Sequence, residues 1–236
     1  MPISRETLLK LTEPWSDNCY FRVGVWDGDA CLSKVALISL NPRNAITIDH
    51  CTPEEFCEAI SSRSVFECLY KKVSRQSRAR DNYDSLRDAL ECQNVVETNI
   101  SAYPSNNINE GDLAAPQHIA GMKRASDFHS LLRPQFLLIA VELPWKKMIK
   151  SGFLDLGKKK EQFSASSSIP LGFKSSWREI EVYPSATFHD RQVTVMKIPQ
   201  GSGRWLKGRF LEGYPEFFRY LGYFLRLQTQ TPVRHR

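Results

Sequence analysis

Two asparagines, each placed where an apolar run stops, carry the side chains best suited to chemistry in this sequence. Asn41 follows VALISL (35–40) and precedes Pro42, and Asn99 lies at the end of NVVETNI (94–100). A primary amide offers one carbonyl acceptor and two N–H donors, so Asn41 is equipped to hold a water molecule and Asn99 to pair with a donor and an acceptor on the edge of one ring. Both also have ordinary structural uses. Asn-Pro commonly caps a turn, and the Asn99 side chain can close the loop from Ile100 to Pro104.

A third segment, Pro199, Gln200, Gly201, Ser202, Gly203 and Arg204, has the make-up of a loop that approaches an anion closely. Glycine lets a backbone come near its ligand, and free main-chain amides bind phosphate. Arg204 and Lys207 add charge, while a plain glycine turn is the competing reading. Trp205 suits a wedge or a stacking platform, and equally a core position beside Phe210. Tyr103 suits stacking on a ring or lining a pocket, or else a half-buried cap. His118, His129 and His189 have no serine, cysteine or carboxylate at a catalytic spacing and read as structural or surface residues. Asp49 and His50 follow the first turn closely but acquire no role.

These residues need a scaffold that brings distant strand ends together. VALISL, NVVETNI, FLLIAVEL (136–143) and VTVMKI (193–198) read as buried strands. The segments 52–73, 81–92 and 114–132 have helical periodicity, the first opened by Thr52 as N-cap, Pro53 at the first helical position and Glu55 in the capping-box place. Strands rich in Val, Ile and Leu that alternate with helices predict an α/β fold with a mostly parallel sheet covered on both faces. Ligands of such sheets sit beyond the carboxyl ends of the strands. The turns after Leu40, Asn99 and Ile198 are therefore expected to meet at one crevice. The segment 19–32 predicts a hairpin or an edge strand, and 144–177 a long basic insertion in a single domain spanning 1–236.

Composition narrows the classes. The chain has 236 residues, 42% of them hydrophobic, and no run approaching a membrane span or a secretory leader. The expectation is a soluble, cytoplasmic protein without a membrane partner. Its six cysteines, all within the first 92 residues, form no C-x-x-C pair and have no histidine at zinc spacing, so reduced structural thiols are expected and no metal or cofactor. A net charge of +6 and a pI near 9.0 suit a polyanionic partner. The basic residues gather in 71–80, 145–160 and 203–209.

The segments LISLNPRN (37–44), VVETNISAYPS (95–105), LLRPQFLLIAV (131–141) and MKIPQGSGR (196–204) together resemble, in order, the motifs of the uracil-DNA glycosylase superfamily. The similarity is to the branch of mismatch-specific uracil and thymine glycosylases. There a first strand runs into Gly-Ile-Asn-Pro-Gly, a second ends in Thr-Asn before a Pro-containing loop, Arg-Pro leads the next, and a Pro-Ser-containing loop comes last. The resemblance implies a three-layer α-β-α sandwich around a mostly parallel four-stranded sheet. It also implies a monomeric, cofactor-free, monofunctional enzyme that flips a base out of DNA and hydrolyses its N-glycosidic bond. Such cleavage puts positive charge on the sugar and negative charge on the base, so a placed water and donors facing the base suffice. By this resemblance Asn41 positions the water, Asn99, Tyr103, Ser39 and Arg43 surround the base, and the loop from Pro199 to Arg204, with Lys207, holds DNA.

Three departures shape the expected substrate. Ser39 and Arg43 replace the glycines that flank the first motif, the last loop lacks the histidine many relatives use on the leaving base, and the four-cysteine pattern of the iron-sulfur branches is missing. With Asn at the water position no full negative charge faces the sugar, which favours a good leaving group. The expectation is a modified pyrimidine, such as the hypermodified cytosines met by bacterial anti-phage members. The alternatives are a uracil or thymine mismatch glycosylase, a non-catalytic nucleic-acid-binding relative and, outside the family, a nucleotide or nucleoside hydrolase.

Overall fold

The computed structural model describes residues 2–40, 42–74, 78–90, 95–105, 112–140, 146, 150, 154–157, 161–162, 181–198 and 214–230. Its centre is a block of four parallel strands: β2 (Val35–Ser39), β3 (Val95–Asn99), β4 (Phe136–Ala140) and β8 (Arg191–Ile198), side by side in the order β3-β2-β4-β8. The expected strand runs are all present. The expected four-stranded sheet is corrected, because antiparallel strands widen the block on both sides into a sheet of eight. On one edge β1 (Gly24–Val25) pairs with β3, which settles the segment 19–32 as an edge strand. On the other edge β7 (Glu181–Phe188) forms a hairpin with β8, and β5 (Leu154–Asp155) and β6 (Glu161–Gln162) pair with β7. Those two short strands lie within the segment expected to be an insertion loop, and main-chain pairing holds them to β7.

Alternation along the strands sends side chains to two separate cores. Ala36, Ile38, Val96, Leu137, Ile139, Val193 and Val195 join α1 (Arg5–Thr12), α2 (Pro53–Ile60), α3 (Arg63–Lys71) and α5 (Pro116–Leu131) on one face. Val35, Leu37, Val95, Leu138, Met196 and Ile198 join α4 (Arg78–Ala89) and α6 (Tyr214–Gln230) on the other. Burial on both faces explains why the strands read as continuous apolar runs. The sheet therefore lies between two helical layers.

Local chemistry fixes the helix ends. Thr52 Oγ1 accepts from Glu55 N at 3.2 Å while Thr52 N donates to Glu55 Oε2 at 2.7 Å, the reciprocal cap expected from the sequence. The periodic stretch 52–73 is nevertheless two helices. Ser61 turns its hydroxyl back onto the Cys57 carbonyl at 2.9 Å and Ser62 adopts extended backbone, so α2 stops and α3 starts afresh. On the opposite face Gly222 lets α6 lie directly on α4, since a Cβ there would come within 2.5 Å of the Leu86 carbonyl oxygen.

Candidate functional site

The carboxyl ends of the parallel strands lie level. Ser39 is in register with Asn99, Ile38 with Ile139, and Ala140 with Ile198. Beyond the strand ends the backbone ladder continues into the loops: Ile100 N donates to Ser39 O at 2.9 Å and Ser101 N to Leu40 O at 3.1 Å. Further along, Ser105 N donates to Pro42 O at 2.8 Å. The turn after β2 and the loop after β3 are therefore one hydrogen-bonded unit, as the strand-end rule led us to expect. Asn41, between Leu40 and Pro42 in sequence, lies outside the described residues, as do Pro199, Gln200, Gly201, Ser202, Gly203, Arg204, Trp205 and Lys207. The last described residue before that loop, Ile198, leaves the sheet at the same end.

Ser39 and Asn99 occupy adjacent positions on the face that carries Val35, Leu37 and Val95. Asn99 is 8% exposed, and among the described residues no hydrogen bond engages its side-chain amide. The polar atoms of Asn99 are not among the described side-chain atoms that are fully buried without a partner, so the amide stays reachable from the strand ends. The structural use considered for Asn99, closing the loop that follows it, is discharged by other groups. Ala102 N donates to Gly121 O at 3.1 Å, Ser101 Oγ meets His118 Nδ1 at 3.1 Å, and the Tyr103 hydroxyl donates to Asp17.

These contacts reveal residues that sequence spacing does not single out. His118 stands in the first turn of α5, buried, with the Tyr103 ring edge-on at 5.1 Å. Gly121 follows one turn later; a Cβ there would meet Ser101 Oγ and Tyr103 N at 2.7 Å each. That glycine inside a helical pattern is the available sequence signal, since such residues often mark a close approach. Tyr103 has Phe21 6.0 Å away as a further neighbour, so the ring is held from several sides at the mouth of the loop. Burial acts to raise the Asp17 carboxyl, but hydrogen bonds from Tyr103 and Cys19 outweigh it and leave the group below its ordinary range. Burial and the Asp17 carboxylate in turn push the Tyr103 phenol up, so it remains a proton donor.

On the other side of the turn Asn44 donates its amide to Tyr70 Oη at 2.8 Å and to Ser74 Oγ at 2.6 Å, binding the turn to the end of α3. The Arg22 guanidinium lies 5.2 Å from the centres of both the Phe66 and Tyr70 rings. Burial raises the Tyr70 phenol, yet the Arg22 charge and the hydrogen bonds from Asn44 and Ser74 bring it below its ordinary value overall. Arg43, next to Asn44 in sequence, is exposed, whereas Pro42 is buried.

The remaining histidines sit elsewhere. Thr98 donates its hydroxyl proton to the Val23 carbonyl, so its oxygen accepts from His129 Nε2 at 2.9 Å, which fixes the neutral tautomer. His189 occupies the β7–β8 turn. Cys19 and Cys51 are free thiols pushed up to about 11 by burial, which makes them poor nucleophiles at neutral pH. Among the described residues no group of three or more His, Cys, Asp or Glu side chains is placed to hold a metal ion, and no helix is long and apolar enough to cross a membrane.

What the described residues offer at the level ends of the parallel strands is the Asn99 amide, a Tyr103 held by Asp17 and the exposed Arg43. No protein-family model matches this sequence, and no curated protein is significantly similar to it.

Proposed function

We propose that this chain is a monofunctional DNA glycosylase that extrudes a modified pyrimidine and hydrolyses its N-glycosidic bond, leaving an abasic site. The observation that carries the reading is the Asn99 amide, 8% exposed and without a hydrogen-bond partner among the described residues, at the level ends of the parallel strands. An amide that is reachable at that position and not taken up by the protein pairs with the donor-acceptor edge of a pyrimidine, which selects for a base that presents such an edge. The main-chain bonds from Ile100, Ser101 and Ser105 to the β2 turn support a shared crevice in which Asn41 holds the attacking water. The parallel block is consistent with the α/β scaffold that the resemblance implies, and the net charge of +6 favours a polyanionic substrate.

Mass spectrometry of free bases released from uracil-containing, mismatched and phage-derived modified duplexes tests the proposal. Release of a modified pyrimidine that Asn41→Ala abolishes while duplex binding persists is the expected result. Efficient release of plain uracil at the same rate counts against the modified-base substrate, and no release from any of these DNAs overturns the enzyme.

A further inference from the structure

The end of α3 has charged residues that the crevice itself does not use. Lys71, in the last turn of α3, and Lys72, its C-cap, are both exposed. They fall between Tyr70 and Ser74, the two residues that Asn44 grips at 2.8 and 2.6 Å. Those two hydrogen bonds from one amide tie the segment carrying the lysines to the turn that also carries exposed Arg43. Of the carboxylates in this region, Glu55 caps Thr52 N at 2.7 Å and also feels the charge of Lys72, and Glu67 lies 3.7 Å from Arg87. In sequence the lysines open the run KKVSRQSRAR (71–80).

We infer that Lys71 and Lys72 form a phosphate-contacting ledge that holds the nucleic-acid backbone beside the crevice, a role that rests on the proposed DNA substrate. A cation pair tethered to the turn by Asn44 engages the strand next to the extruded nucleotide without reading its sequence. Positive charge at a helix C-terminus also offsets the helix dipole, which is the purely structural role to be separated from this one.

The test measures affinity of the full chain for an unmodified 20-base-pair duplex across salt concentrations. Each phosphate contact contributes about 0.9 to the slope of log affinity against log salt, so Lys71→Gln/Lys72→Gln is expected to flatten the slope by about 1.8. Lys34→Gln, just before β2 at the opposite end of the sheet, is expected to leave it unchanged. An unaltered slope in the double variant overturns the ledge, as does an equal flattening by Lys34→Gln or the absence of measurable duplex binding by the unsubstituted chain. Base release plays no part in this measurement. Release with an unaltered slope removes the ledge and keeps the glycosylase; a flattened slope with no base released from any substrate does the reverse.

Discussion

Replacing His129 by glutamine turns a buried titration into a measurable change in the pH dependence of folding. The imidazole is 3% exposed, donates through Nε2 to Thr98 Oγ1 at 2.9 Å, and lies 6.2 Å from the His189 ring. Burial first, and the His189 charge second, hold its pKa down from 6.5 to about 3. The unfolded chain therefore takes up a proton near pH 6.5 that the folded chain refuses until about pH 3. The stability that belongs to neutral His129 is intact above 6.5, is lost as pH falls, and is fully lost once pH passes below about 3. Between pH 7.5 and 4.5 the linkage amounts to roughly 3 kcal/mol, because each of two pH units below the unfolded pKa contributes about 1.4 kcal/mol. Glutamine keeps an amide donor for Thr98 and carries no titratable proton. Urea unfolding at the two pH values should show His129→Gln less stable by about 1 kcal/mol at pH 7.5, for an imperfect hydrogen bond, with its disadvantage reversed at pH 4.5. Equal loss of stability on acidification in both proteins would refute a neutral, buried His129.

Three further outcomes follow from packing and charge. Gly121→Ala should cost about 1–3 kcal/mol by urea titration and weaken substrate binding, because its Cβ meets Ser101 Oγ and the Tyr103 backbone at 2.7 Å; full stability would mean that α5 can move away. Tyr103→Phe should raise the Asp17 pKa, read from its carboxyl carbon by NMR, since it deletes the larger of the hydrogen bonds holding that carboxylate down. Arg63→Met should cost about 3 kcal/mol in thermal or urea unfolding, near the lower end for breaking a buried pair, because Glu97 and Asp84 are 13% and 21% exposed and lose their shared guanidinium.

The strands that position the candidate site were legible because burial on both faces makes them continuous apolar runs, and their ends were legible because Asn-Pro and a polar loop follow. What was hidden depended on partners far away in sequence. Asp17 and Tyr103 are 86 residues apart and form a bond that neither spacing nor residue type announces. The β7–β8 hairpin escaped notice because its turn uses His189 and Asp190, both with positive φ, where asparagine and glycine are the usual signal. Pro184 inside β7 further disguised that strand, and the register shift between Tyr183 and Ala186 accommodates it. The long helix α6, with Phe217, Phe218, Leu221 and Leu225 in the core, carries aromatic residues on its outer side as well and so lacks a clean polar face.

The way the crevice is held bears on how its specificity can change. The bonds joining the β2 turn to the β3 loop run from the amides of Ile100, Ser101 and Ser105 to the carbonyls of Ser39, Leu40 and Pro42, with no side chain involved. Side chains at positions 39 and 43 are consequently free to vary without loss of the join, provided that the backbone keeps its path. Position 42 is different, because buried Pro42 fixes that path and its carbonyl is one of the acceptors. A scaffold built in this manner separates two tasks. Backbone geometry places Asn99, while under the proposed function Ser39, half-buried, and Arg43, exposed, are left to set the size and charge of what enters. Under the proposed function, the departures from the flanking glycines thus fall at two positions whose side chains take no part in the join.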